Sequence, residues 1–166
     1  MPMDDNLKHI KIAIYDHCTL EISDFQYEKE SQEYDACQFV LNGRKIKCRN
    51  AKTTPKEAGQ FITFWKRNGK APIEPFNKSD PIDFFIVNVR IEKEFGQFVF
   101  PKSVLIQKGI ISTESKDGKR AFQVYPSWDI VGSKQAERTQ KWQLDYFYLI
   151  NAETDLKRVR QLYQVR

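Results

Sequence analysis

Residues 82–91 constrain the fold more than any other part of the chain. Phe84, Phe85, Ile86, Val87 and Val89 form a nearly unbroken apolar run. A strand with one face in water alternates apolar and polar residues. A run without that alternation needs cover on both faces, so it reads as a central strand between two layers. The chain has 166 residues, enough for one domain to bury such a core. Hydrophobic residues make up 40% of it and aromatics 13%, which excludes a disordered class.

A second strong signal lies upstream. Cys37, Phe39 and Leu41 alternate with Gln38 and Val40, then come Asn42-Gly43 and residues 45–49. Asn-Gly between two such runs is a hairpin signal. In the second strand Ile46 and Cys48 alternate with Lys45, Lys47 and Arg49. The alternation predicts one core face. It also predicts a solvent face carrying three charges roughly 6 to 7 Å apart.

The remaining elements follow from shorter patterns. Leu7, Ile10 and Ile14 mark an amphipathic helix over residues 4–16. Residues 60–66, 97–100, 120–125 and 146–150 read as strands, and 67–80, with Gly69, Pro72 and Pro75, as a loop. Residues 101–108 suit a short helix opened by Pro101 and ended by Gly109. Lys116-Asp117-Gly118 reads as a turn. Ser133 suits the N-cap of a helix over residues 134–144, and residues 154–164 form a last helix. The expected class is α+β: a mixed, largely antiparallel sheet flanked by helices. The expected organisation is a single domain over 1–166. It comprises an N-terminal helical, acidic segment (1–33), a core (34–150) and a C-terminal helix (151–166).

Charge is segregated. Residues 44–70 hold nine cations (Arg44, Lys45, Lys47, Arg49, Lys52, Lys56, Lys66, Arg67 and Lys70) against Glu57 alone. The first 35 residues hold nine acids and three lysines. Clustered cations with aromatics such as Trp65 are a nucleic-acid footprint. Farther on, Lys134, Arg138 and Lys141 line one helical face, with Trp142 at its edge. Trp128, beside Pro126 and a loop, is expected to be exposed.

Other chemistries lack their residues. There is no Gly-rich phosphate loop and no dinucleotide fingerprint. His9 and His17 sit in one helix and build no triad. No paired deaminase elements and no helix-turn-helix or zinc-finger pattern occur. Cys18, Cys37 and Cys48 have no CxxC spacing, so buried thiols are expected, with no metal and no cofactor. No apolar run approaches the roughly 20 residues of a membrane span, and residues 1–8 lack a signal-peptide core. A cytoplasmic location is expected.

Several blocks together resemble the MepB-like family of small bacterial proteins. They include Asn50-Ala51-Lys52-Thr53-Thr54-Pro55, Gly59-Gln60-Phe61-Ile62-Thr63-Phe64-Trp65-Lys66-Arg67 and Asp80-Pro81-Ile82-Asp83. Phe95-Gly96-Gln97-Phe98-Val99-Phe100-Pro101-Lys102 and Gly118-Lys119-Arg120-Ala121-Phe122 continue the match. Tyr125-Pro126-Ser127-Trp128-Asp129 and Thr139-Gln140-Lys141-Trp142-Gln143-Leu144 complete it. The resemblance spans about residues 34–146. It implies a fold related to PD-(D/E)XK nucleases, in which an Asp and a downstream (D/E)-x-K hold a divalent metal. Asp83 stands at the first motif position. The second reads Gln97-Phe98-Val99, so carboxylate and lysine are both replaced and the motif looks degenerate.

The expectation is therefore a pseudo-nuclease, a non-catalytic protein binding RNA or single-stranded DNA, and double-stranded DNA more weakly. Its contacts would be Arg44, Lys45, Lys47, Arg49, Lys52, Lys56, Trp65, Lys66, Arg67, Lys102, Lys119, Arg120, Trp128, Lys134, Arg138, Lys141 and Trp142. The alternatives are a metal-dependent nuclease using Asp83 with Glu94 or Lys102, and a protein-interaction module. In the latter, the acidic N-terminal segment and the basic middle serve partners or neutralise each other.

Overall fold

The computed structural model describes residues 2–165. β6 (Phe84–Ile91) is buried on both faces over residues 84–89, as its composition requires. Phe84 and Ile86 enter one apolar cluster; Phe85, Val87 and Val89 enter another on the opposite face. β6 lies inside a six-stranded sheet of order β1-β2-β3-β6-β7-β9. Its other members are β1 (Ile22–Tyr27), β2 (Cys37–Leu41), β3 (Arg44–Asn50), β7 (Glu94–Pro101) and β9 (Phe147–Leu149). The β3–β6 pairing is parallel and the others are antiparallel. The class is α+β with a mixed, largely antiparallel sheet.

One face is covered by α1 (Asp5–Ala13) and α4 (Leu156–Leu162). Asp4 caps α1 by accepting from Leu7 N at 3.1 Å, and Leu7 and Ile10 enter the core beside Val159 and Tyr163. The other face is covered by a three-stranded sheet: β4 (Lys52–Thr53), β5 (Gln60–Thr63) and β8 (Ala121–Val124). α2 (Lys102–Gln107) and α3 (Lys134–Leu144) flank it. No helix among the described residues is long and apolar enough to cross a membrane.

Three expectations are corrected. The N-terminal segment is not purely helical: β1 forms the edge of the main sheet, with a bulge between Ser23 and Gln26. The tight turn near residue 116 falls at Glu114 and Ser115, with Thr113 bridging to Lys116. Most importantly, the face of β3 expected in water is the one under the second layer. Arg49 is 1% exposed and its guanidinium pairs with Glu28, just after β1. It also donates to the carbonyls of Cys48 (3.0 Å) and Thr63 (3.3 Å). Lys47 pairs with the same Glu28 at 2.8 Å and with Gln38 at 2.7 Å. Only Lys45 of the three is exposed. Alternation told the two faces apart but could not tell water from a second layer.

Gln97 anchors a buried polar network under α1. Its Oε1 accepts from Tyr148 (2.7 Å) and Tyr163 (2.6 Å), and its Nε2 donates to Asn88 at 2.9 Å. Burial drives the hydroxyls of Tyr148 and Tyr163 well above the ordinary tyrosine pKa, so they stay protonated donors. The three cysteines are buried and not disulfide-bonded.

Candidate nucleic-acid interface

α3 docks on the free edge of β8 through two glutamines. Gln143, fully buried, accepts from Tyr125 N at 2.8 Å and donates to the Gln123 carbonyl at 3.0 Å. Gln140 donates to the carbonyls of Pro126 (3.0 Å) and Asp129 (3.1 Å). Ser133 caps the helix by accepting from Ala136 N at 3.1 Å. Asp129 in turn accepts from Gly59 N at 3.0 Å, and burial raises its carboxyl above the usual range.

Two adjoining clefts result, of about 380 and 410 Å³. They share Lys108, Gln135, Thr139 and Trp142. Lys119 lines the first; Arg138, Lys141 and Asp145 line the second. Four cations and one acid thus surround one indole. Lys108 Nζ lies 5.3 Å from the Trp142 ring centroid, and the ring packs on Phe100 at 5.6 Å. Tyr125 also lines the first cleft; burial, then the charge of Glu57, raises its hydroxyl pKa.

Of the residues expected to bind, Lys119, Arg120, Lys134, Arg138 and Lys141 are exposed in or beside this region, with Trp142 between the clefts. None of the 44–70 set lines either cleft. Arg44 stacks over Phe84 at 5.7 Å, Lys52 over Tyr34 at 5.4 Å and Arg67 over Trp65 at 5.4 Å. Lys56 is exposed in a loop. Lys66 pairs with Asp80 at 2.9 Å and Glu74 at 3.5 Å. Burial alone would lower its pKa; these acids outweigh it and raise it. Lys102 donates from Nζ to the Asp80 carbonyl at 2.5 Å. A cleft of about 460 Å³ does lie beside Lys45, Lys47 and Lys66, but Asp24 and Asp80 share its wall. Trp128 is not the exposed ring expected of it: it is half-buried, edge-on to Phe147 at 6.1 Å. Lys108, Gln140 and Gln143 carried no sequence signal, because their partners lie on other elements.

Asp83 is occupied by the backbone. Its Oδ2 accepts from Lys45 N at 2.7 Å, and its own N–H donates to the Lys45 carbonyl at 2.8 Å. Gln97 pairs with Asn88, five residues along β6 from Asp83, or about 16 Å. By alternation, Asp83 falls on the face of Phe85, whereas Gln97 and Val99 belong with the opposite cluster. The two motif positions cannot meet at one ion. Glu94 pairs with Ile91 at the far end of the hairpin. Among the described residues, no group of three His, Cys, Asp or Glu could hold a metal. Asp83→Ala should cost about 1 kcal/mol in a denaturant titration, from the lost Lys45 bond. A loss above about 3 kcal/mol would show a larger role.

A family model described as MepB-like matches residues 28–149. The chain belongs to the MepB-like family. A solved structure, the crystal structure of MepB, is similar at 34% identity with a TM-score of 0.79. The match covers 91% of this chain and 100% of that one. No curated protein matches. In this MepB-like chain, Gln140 and Gln143 of the block over residues 139–144 fasten α3, and Lys141 and Trp142 face the clefts.

Proposed function

We propose that this MepB-like protein is a non-catalytic nucleic-acid-binding protein that holds single-stranded RNA or DNA along the α3 clefts. The carrying observation is the set Lys108, Lys119, Arg138 and Lys141 around Trp142, with Asp145 as the one acid in the lining and Glu57 beside the first cleft, accepting from Gln123 at 3.1 Å. Cations spaced along a groove neutralise phosphates, and an indole between them offers a face on which a base can stack. Duplex DNA binds more weakly in this reading, because its bases are already stacked and paired. The scaffold is read as PD-(D/E)XK-like with its metal ligands gone, and the protein works in the cytoplasm.

The test is a titration with single-stranded RNA, single-stranded DNA and duplex DNA at several salt concentrations. For four phosphate contacts the log–log slope on a single strand should be about −3. Arg138→Gln should weaken binding and flatten that slope by about 0.7. A slope shallower than about −1 would sink the reading.

A further inference from the structure

Gln143 meets the free edge of β8 with an acceptor and a donor on adjacent atoms of one planar group. The same backbone pattern repeats one dipeptide upstream. The Arg120 carbonyl accepts from Phe64 N at 2.8 Å, and Phe122 pairs with Ile62. Even-numbered residues of β8 therefore turn their backbone groups toward β5, and residues 121, 123 and 125 turn theirs away. Gln143 takes the Gln123 carbonyl and Tyr125 N–H. The next outward pair is the Ala121 carbonyl and Gln123 N–H. Among the described residues no side chain bonds to either. Ala121, Gln123 and Trp142 all line the cleft of about 380 Å³, a volume typical of ligand pockets, which run from roughly 300 to 1,000 Å³.

We propose that this pair reads the pairing edge of one unpaired nucleobase. The base donates to the Ala121 carbonyl and accepts from Gln123 N–H, with Trp142 beside it and its phosphates near Lys108 and Lys119. The inference rests on the nucleic-acid reading and deepens it. Each common base carries an adjacent donor and acceptor on its pairing edge, so the contact tolerates sequence. A duplex uses that edge internally, so the contact selects single strands. An added protein strand fits less well. Lys119 N–H is already bonded to the Ile110 carbonyl at 2.9 Å, and Gln143 fills the edge beyond Gln123 N–H. A single dipeptide is left, where strand addition uses a run of several residues.

The experiment compares fluorescein-labelled octauridine with its N3-methyluridine counterpart by anisotropy, using the full chain. Methylation removes the donor of the pairing edge and leaves every phosphate in place. Affinity should fall tenfold or more with the salt slope unchanged. Gln123→Pro removes the N–H at an edge position, and this variant, if its thermal unfolding stays cooperative, should bind both oligomers equally weakly. Equal binding of the two oligomers by the native protein overturns the base-edge contact and leaves the nucleic-acid reading standing. Binding of neither overturns both. Displacement of octauridine by octaglutamate at equal concentration overturns the contact and assigns the cleft to acidic peptides.

Discussion

Glu28→Ala should destabilise the protein by about 3–5 kcal/mol, the cost of stranding a buried charge. The Arg49 guanidinium is 1% exposed, lies over Phe85 at 5.8 Å and has Glu28 as its only carboxylate partner among the described residues. Glu28 itself is 14% exposed, and its loss leaves the guanidinium only the carbonyls of Cys48 and Thr63 among the described residues. For a domain of this size the melting temperature should fall by roughly 6–20 °C. Arg49→Met combined with Glu28→Leu should recover most of the loss, because apolar replacement of a buried pair is often neutral or better. Nucleic-acid affinity and its salt slope should stay unchanged in the double variant, since Arg49 faces protein and not solvent. A loss below about 1 kcal/mol for Glu28→Ala would show that Arg49 reaches water.

Gln143→Leu should cost about 2–4 kcal/mol. The leucine fills the space but leaves Tyr125 N–H and the Gln123 carbonyl facing an apolar side chain, each a buried polar group without a partner. Gln143→Glu should be worse: it keeps the acceptor for Tyr125 N–H and sets a carboxylate oxygen against the Gln123 carbonyl. Because Gln143 also holds α3 against β8, the clefts around Trp142 should loosen, and nucleic-acid affinity should fall with stability. Lys134→Gln, on the same helix but outside both clefts, should leave the melting temperature within about 1 °C. Unchanged melting in Gln143→Leu would mean that α3 is held by Trp142 and Gln140 alone.

The elements were legible where local patterns carry them. The apolar run at 84–89, the Asn42-Gly43 hairpin and the Ser133 cap each state a backbone or burial requirement within a few residues. The candidate site was half legible. Arg138, Lys141 and Trp142 lie within one turn of helix and reach the clefts as their spacing suggests, whereas Lys134 of the same stripe falls outside them. Lys108 and Lys119 come from a helix end and a loop, and only packing brings them to the same indole. Arg49 misled because a cation at an outward-reading position looks the same whether water or Glu28 lies opposite.

By itself, the sequence determined the order of helices and strands apart from β1 and β4, the centrality of β6 and the basic face of α3, because all three are periodicities along one chain. Tertiary structure alone decided which positive charges are free. The run over residues 44–70 counts nine cations, but folding buries Arg49, ties Lys47 to Glu28 and ties Lys66 to Asp80. Charge on a sequence is a sum; charge at a surface depends on which acid each cation meets. That pairing joins residues far apart in the chain, and only the packed layers specify it.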